Sequence, residues 1–343
     1  MAAEGGVIVR FTYTGAEGER IPNEATHITV AEDCTFVRAW TFRWHRNIVE
    51  IICHDNVKTI GECAFAGCPR LRRVIMRGVK VLESAAFWDC AALTDVECGK
   101  VEIIKDGAFS VCNSLRSINV LSARIVKERV FVGCKALTDV KFGNKLERIE
   151  GGTFYKCISL ERITIPLTDG IFDEDDIFQS CENLMQVDLV EGVELQETIA
   201  ALQLEEWRND VSEKIDSINR ILPNTHPGYY IKHDDKDDGD MAEAIRTWIS
   251  SVLDKINHYK AEHQHVMEEA ATTLQFVLPH DIAMNNVLSF LALPSHIFGV
   301  DGENNVFEVG GEEEEEDEDD QEAQGVEQAI AYIRRHREEA EDY

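Results

Sequence analysis

Ten cysteines are the residues of this 343-residue chain best suited to chemistry. Six of them follow a phenylalanine by three positions, and the pairs recur every 22 to 24 residues: Phe65/Cys68, Phe87/Cys90, Phe109/Cys112, Phe131/Cys134, Phe154/Cys157 and Phe178/Cys181. Thiols are ligands for zinc and precursors of disulfides, but the chain contains no Cys-x-x-Cys pair. A fixed period instead predicts stacked repeats that place these side chains in one packing column. We therefore expect buried reduced thiols and a reducing compartment.

Other candidate catalytic or metal-ligating residues lack the arrangement that their chemistry requires. His263 and His265 are two apart on a predicted helix, so they face different sides. The acidic stretches 173–176 and 234–240 favour solvated loops over calcium sites, because the second lacks the EF-hand order and its closing Glu. A nucleophile elbow, a Walker loop, a dinucleotide-binding glycine pattern and an HExxH motif are absent. We expect no enzyme activity, no cofactor and no metal.

Each repeat supplies two short strands that position the column. A Leu follows each Cys by three, an aliphatic residue comes three later, and another apolar residue two beyond that. Spacing by two is strand alternation, which predicts a strand over Arg73–Met76, with Val74 and Met76 inward, and its equivalents. An apolar pair such as Val57 and Ile60 opens each unit and predicts a second, shorter strand. A single unit cannot bury this face alone, so about seven units must stack.

The repeat motif points to a known class. Its form is Ile60-Gly61-x-x-Ala64-Phe65-x-x-Cys68-x-x-Leu71-x-x-Val74, with copies at Ala86-Phe87 and Ala108-Phe109. It resembles the leucine-rich repeats of the BspA-like (treponemal) class over about residues 24–190. The resemblance implies a right-handed curved solenoid with parallel strands that binds proteins or ligands. The whole layout is also similar to an uncharacterised diatom-type family with a helical C-terminal extension, through Trp-Arg-Asn at 207–209 and His-Tyr-Lys-Ala-Glu-His at 258–263.

The second half of the chain has helical periodicity. One apolar stripe predicts a helix over 193–222, and a longer stripe predicts a second helix over 241–277, with the exposed loop 223–240 between them. A third, short helix is predicted over 282–291. Three interpretations of this hairpin stay open: it caps the last repeat, it pairs with another copy or another protein, or the segment 287–294, which resembles part of an F-box, links the chain to a ubiquitin ligase.

Charge is distributed unevenly along the chain. Residues 1–190 carry 23 basic against 27 acidic side chains, whereas the rest carries 11 against 37, and the total is −30. A basic stripe is lacking, which argues against nucleic acid and anionic lipid as partners, and no apolar run reaches the length of a membrane span. Residues 312–320 are all acidic and predict a solvated tail, in which 326–339 favours a short helix.

Together these patterns predict an α+β repeat protein with four parts. The parts are an N-terminal strand or cap at 1–23, a leucine-rich-repeat solenoid at 24–190, a helical hairpin extension at 191–302 and an acidic disordered tail at 303–343. The function predicted is a non-enzymatic protein-interaction scaffold in the cytoplasm or nucleus. The alternatives are a substrate-recruiting adaptor of a ubiquitin-type ligase and a protein that self-associates through helices 193–222 and 241–277.

Outward strand positions are the predicted binding residues, because a curved sheet presents one residue per repeat at regular height. The candidates are Arg73, Ile75, Arg77, Glu97, Asn119, Lys141, Thr164 and Asp188. The basic cluster of Arg70, Arg72, Arg73 and Arg77 predicts a site for an acidic partner or for the acidic tail of the chain itself.

Overall fold

The chain folds into a parallel-strand solenoid followed by helices. The structure, a computed structural model, describes residues 7–174, 176–190, 193–202, 204–222 and 241–275. The predictions for the loop 223–240, the helix 282–291, the F-box-like segment 287–294, the tail 303–343 and its helix 326–339 fall outside these residues.

Two kinds of strand alternate along the solenoid, as the repeat spacing predicts. The long strands are β1 (Arg10–Tyr13), β2 (His27–Val30), β4 (Glu50–Cys53), β6 (Arg73–Ile75), β8 (Asp95–Glu97), β10 (Ser117–Val120), β12 (Asp139–Phe142), β14 (Arg162–Ile165) and β15 (Gln186–Leu189). The short strands are β3 (Phe36–Val37), β5 (Thr59–Ile60), β7 (Val81–Leu82), β9 (Ile103–Ile104), β11 (Ile125–Val126) and β13 (Arg148–Ile149). All of the pairings are parallel.

These strands form three ladders. The first long-strand ladder has the order β1-β2-β4-β6-β8, and the second has the order β10-β12-β14-β15. The short strands form one unbroken ladder from β13 to β3. The long-strand side is therefore interrupted between β8 and β10, while the short-strand side continues past that point. The register joins equivalent residues of successive units, for example Val74 with Val96 and Ile60 with Leu82.

The core contains the phenylalanine column that the repeat predicts. The rings of Phe42, Phe65, Phe87, Phe109, Phe131, Phe154 and Phe178 stack face to face with centroid distances of 4.8 to 5.7 Å. Tyr13 meets the first ring edge-on at 5.3 Å, and Phe172 meets the last at 5.4 Å. Stacking of identical apolar units buries rings that a single unit would expose, which confirms the prediction of a core.

Each turn between a short strand and the next long strand contains two residues with left-handed backbone. One lies two positions before the lattice phenylalanine and the other two positions after it. The first set is Trp40, Cys63, Ala85, Gly107, Arg129 and Gly152, and the second is Trp44, Gly67, Asp89, Val111, Gly133 and Lys156. In the turn before β15, which follows no short strand, Ser180 takes the second position. Glycine adopts this conformation without cost, whereas other residues are strained by about 1 to 2 kcal/mol. Two tryptophans therefore occupy positions that are unfavourable for their backbone.

The helical region differs from the prediction of one helix over 193–222, which is wrong. The stretch forms three helices, α1 (Val193–Ala201), α2 (Glu205–Asp216) and α3 (Ile218–Ile221). The carbonyl of Leu202, beyond the end of α1, accepts a hydrogen bond from the guanidinium of Arg208, and Ser217 separates α2 from α3. The helical spacing of apolar residues continues across both breaks, because this spacing indicates which side chains are buried and not whether the backbone helix is continuous. The longer helix is confirmed as α4 (Met241–Gln275).

The contacts divide the chain into two compact units. The described residues of Met1–Val190 and Ser217–Ser251 form one unit, and those of Glu191–Asp216 and Val252–Tyr343 form the other. Within the first unit, α3 covers the terminal strand, since the backbone N–H of Val187 donates to Asn219 Oδ1 at 2.9 Å. None of the described helices combines the length and the apolar character needed to cross a membrane.

Candidate protein-binding surfaces

The lattice cysteines act as hydrogen-bond donors inside the core. Each thiol donates to the carbonyl of the phenylalanine one turn earlier; the pairs are Cys68–Phe42, Cys90–Phe65, Cys112–Phe87, Cys134–Phe109, Cys157–Phe131 and Cys181–Phe154, at 3.1 to 3.3 Å. In the first unit His45 takes the equivalent position, and its Nε2 lies 2.9 Å from the carbonyl oxygen of Pro22. Burial raises the pKa of Cys134 and Cys181 to about 12, so these thiols are unsuited to nucleophilic chemistry.

Of the other candidates for chemistry, the acidic stretch 234–240 lies outside the described residues, whereas the cysteines, His263 and His265 are described. All ten cysteines are unpaired thiols, and nine of them are buried, while Cys63 is half-buried. Among the described residues, no group of three or more His, Cys, Asp or Glu side chains is arranged to hold a metal ion. His263 is buried on α4, whereas His265 is exposed beside Glu269 at 3.4 Å.

The predicted outward residues lie on the long-strand side in two groups. Arg73 and Ile75 on β6 lie beside Glu97 on β8, and Arg77 follows directly after β6. The register of the second ladder aligns the others in one row: Asn119, Lys141, Thr164 and Asp188. The interruption between β8 and β10 separates the two groups. The structure thus presents the eight residues as two short rows.

Arg73 and Arg77 are already paired with carboxylates. Arg73 lies 3.5 Å from Glu50, 3.0 Å from Asp95 and 3.1 Å from Glu97, and Arg77 lies 2.7 Å from Glu97. Hydrogen bonds from Arg77 and Arg73 lower the pKa of Glu97. The basic cluster predicted from the sequence therefore has two of its four charges neutralised by the neighbouring strands, and an acidic partner would have to displace those carboxylates.

A different surface carries exposed aromatic side chains. Phe36, Trp40 and Trp44 are 48%, 54% and 50% exposed. They lie along the first turn of the short-strand side, where β3 ends its ladder, and are interleaved with three exposed arginines. We call this surface the cationic aromatic patch; its members are Phe36, Arg38, Trp40, Arg43, Trp44 and Arg46. Large exposed apolar side chains that cluster are typical of interaction sites, unlike single ones.

The backbone and the neighbouring turns hold the patch in place. The N–H of Trp40 donates to the carbonyl of Glu62 at 2.9 Å, and the N–H of Trp44 donates to that of Ala66 at 2.8 Å. Trp44 lies edge-on to Trp88 at 5.7 Å. Its six-membered ring covers Gly67, where a Cβ atom would overlap the ring. Trp44 is thus fixed by its surroundings although half of its surface meets solvent.

An open depression adjoins the patch. Its volume is about 750 Å³, and its lining includes Phe36, Arg38, Trp40 and Gly61. The guanidinium of Arg38 lies 5.7 Å above the Phe36 ring, and its Nε donates to the carbonyl of Gly15 at 3.0 Å. The depression combines apolar rings with a positioned cation, which suits an apolar side chain next to an acidic group.

The sequence interpretation missed this patch because it sought binding residues on the outward strand positions, the helical hairpin and the acidic tail, and not in the turns. The signal was available in the stretch 34–49, which contains three arginines and no acidic residue. Trp44 also stands where later copies have Gly67, Asp89 or Gly133. A large aromatic residue at a turn position that most other repeats fill with small or polar residues lies outside the phenylalanine column.

Parallel short strands that repeat every 22 to 24 residues around a stacked phenylalanine column define a leucine-rich-repeat solenoid. The pattern of the BspA type leucine rich repeat region matches six copies, over residues 23–123 and 102–201. The chain belongs to this family, which confirms the main resemblance, whereas the likeness to a diatom-type family stays a prediction. Solenoids of this class are generally non-enzymatic scaffolds for protein interaction.

Solved structures of bacterial leucine-rich-repeat proteins are similar to this chain. The leucine-rich repeat protein of T. pallidum is 21% identical over 48% of this chain and 70% of its own, with a TM-score of 0.37. A leucine rich cell surface protein of Faecalibacterium prausnitzii is 23% identical over 53% of this chain and 48% of its own, with a TM-score of 0.42. No curated protein matches the chain.

Proposed function

We propose that the protein is a non-enzymatic scaffold that binds a protein partner through the cationic aromatic patch. The observation that carries the proposal is the exposure of Phe36, Trp40 and Trp44 on one turn of the solenoid. Tryptophan and arginine are the side chains that most often dominate the free energy of protein association. The backbone of this turn is hydrogen-bonded to the next turn and Trp44 packs against Gly67 and Trp88, so binding costs little ordering of that side chain.

The outward strand face is the second candidate surface. Its row at Asn119, Lys141 and Thr164 takes little part in ion pairing, since Lys141 is 3.9 Å from Asp139 and the other two side chains are uncharged. Such a row offers hydrogen-bond donors and acceptors without a large anchor, which supports a weaker or more extended contact. This face remains the proposal that the sequence supports.

The test compares one variant for each surface. The patch variant changes Phe36, Trp40 and Trp44 to Ser, and the strand-face variant changes Asn119, Lys141 and Thr164 to Ala. Both are used to capture partners from native cell extract, after thermal melting has shown that they are folded. We expect the patch variant to lose the partner that wild type retains and the strand-face variant to keep it. The reverse result would place the binding surface on the strands.

The identity of the captured partner distinguishes the alternatives. A ubiquitin-ligase core would favour the adaptor, and recovery of this chain alone would favour self-association. For self-association the helical stripe offers little free apolar surface, since Val252 and Ile256 are buried and Val266 is 40% exposed. The cytoplasmic or nuclear location stays a prediction.

A further inference from the structure

The three arginines of the cationic aromatic patch form no ion pair with any other described residue. Arg43 and Arg46 have no carboxylate within ion-pair distance among the described residues, and Arg38 makes its hydrogen bond to a carbonyl. Other exposed arginines of the solenoid do have such partners, as Arg124 has Glu147 at 2.5 Å. The patch therefore holds positive charge that no carboxylate of the described residues neutralises.

Aromatic rings fix the positions of two of these guanidinium groups. Arg43 lies 5.5 Å above the ring of Trp44, and Arg38 lies 5.7 Å above that of Phe36. A guanidinium that stacks on a ring keeps its in-plane N–H donors free, and these match the two oxygens of a carboxylate. Because Trp44 is held against Gly67 and Trp88, the cation above it is held as well.

We propose that the patch binds a linear acidic segment of a partner protein. Carboxylates of the segment pair with Arg43 and Arg46, and one apolar side chain enters the depression beside Phe36 and Trp40. This inference rests on the proposed function and names the chemistry of the partner. Complementary charge accelerates the association of the acidic segment with the patch and determines where along the segment the contact forms. The apolar side chain in the depression supplies most of the affinity.

Single-stranded nucleic acid is the competing ligand, since it also stacks on aromatic residues and binds arginine. It requires a positively charged groove that follows several phosphates. The patch has three arginines, and the next turn brings the exposed Glu62, while residues 1–190 as a whole are net negative. The charge pattern therefore favours a short acidic peptide.

The test uses the full-length protein and a fluorescein-labelled synthetic peptide. The peptide has about twelve residues, mostly Glu, with one Phe and one Leu; a matched peptide replaces every Glu by Gln, and an oligothymidine serves as the nucleic acid. The protein variant is Arg43→Gln/Arg46→Gln. The control is Arg116→Gln/Lys135→Gln, which removes the same charge at exposed residues that also have no carboxylate partner in the described part of the chain.

We expect the acidic peptide to bind wild type. Arg43→Gln/Arg46→Gln should raise the dissociation constant of the peptide at least about fivefold, and the control should change it less than twofold. Raising the salt concentration should weaken binding to wild type. Equal binding of the Gln peptide, equal loss in the control or tighter binding of the oligothymidine would overturn the inference. Those results would not contradict the proposed function. That proposal is contradicted only if the variant with Phe36, Trp40 and Trp44 changed to Ser keeps its protein partner.

Discussion

The cysteine sulfur at each lattice position donates to a buried phenylalanine carbonyl of the previous turn, and most of these carbonyls also accept a backbone N–H. The thiol of Cys112, for example, meets the carbonyl of Phe87 at 3.3 Å. Burial raises the pKa of this thiol and of the neighbouring ones, so the sulfur remains protonated at neutral pH. A small side chain with one weak donor fits between stacked turns, which explains why the repeat selects Cys rather than a larger residue.

Thiol labelling tests this view of the core. We expect one of the ten cysteines, the half-buried Cys63, to react rapidly with an alkylating reagent in the native protein. The other nine should react only as the chain unfolds. Since the pKa of buried Cys134 is about 12, raising the pH to about 10 should not open the lattice thiols to reaction.

The matched variant is Cys63→Ser, which should abolish the fast phase and leave the slow phase unchanged. Mass spectrometry of the labelled peptides identifies the site. Rapid labelling of Cys112 or Cys134 in the native protein would contradict the buried donor role.

At the scale of elements, α2 and α4 are joined by a cluster of side chains. Asp210 accepts hydrogen bonds from Lys255 and from the hydroxyl of Tyr259, the latter at 2.6 Å, and Trp207 stacks on Tyr259 at 5.2 Å. Trp207, earlier in α2, contacts Tyr259, whereas Asp210, later in α2, also contacts Lys255, which comes earlier in α4. The two helices therefore run antiparallel, as the hairpin prediction requires. The cluster fixes their register.

This cluster predicts a pH dependence. Hydrogen bonds from Lys255 and then Tyr259 lower the pKa of Asp210 below its usual value of 3.8. The ionised carboxylate therefore contributes stability that is complete at neutral pH and is lost as the pH falls through the lowered pKa. The hydrogen bond between Tyr259 and Asp210 also raises the pKa of Tyr259 to about 12, so we expect a second loss of stability as the pH rises through that value.

The variant Asp210→Asn should reduce the free energy of unfolding by about 1 to 2 kcal/mol at pH 7, and by much less at acidic pH. Urea unfolding, followed by the helical circular dichroism signal, measures the difference. Asp254→Asn is the control, because this exposed residue of α4 has no ion-pair partner within the described residues. Equal effects of the two substitutions at both pH values would exclude the cluster as the cause.

The sequence predicted the strands more accurately than the first helical segment, for a physical reason. The strand expected over Arg73–Met76 is observed at Arg73–Ile75, because period-two burial and the stacking of identical units specify the same residues. Helical period does not specify where a helix ends. The breaks near Leu202 and at Ser217 depend on local hydrogen bonds, such as that from Arg208, which a pattern of apolar residues does not contain.

At the scale of the whole molecule, the binding surface depends on how the repeats stack. The sequence led to Arg73 and Arg77, but stacking places Glu50, Asp95 and Glu97 around them. Conversely, Trp44 gains its support from the next turn, at Gly67. Contacts between residues that are 20 or more positions apart in the sequence therefore decide which charges are neutralised and which rings are exposed.

Two glycines at equivalent turn positions make the most direct test of the patch. Gly67 and Gly133 both have left-handed backbone, with φ of 69° and 67°. Alanine at either position should cost about 1 kcal/mol of stability. At Gly133 the new Cβ would have no neighbour within 4 Å, whereas at Gly67 it would overlap the Trp44 ring and displace it. The pair thus separates backbone strain from loss of the patch.

The decisive measurement is the dissociation constant of the captured partner for Gly67→Ala and Gly133→Ala, each compared with wild type. If the partner binds the cationic aromatic patch, Gly67→Ala should weaken binding at least about tenfold, because a displaced tryptophan anchor is lost, and Gly133→Ala should bind as wild type does. Equal affinity of the two variants would contradict the account and exclude Trp44 from the binding surface.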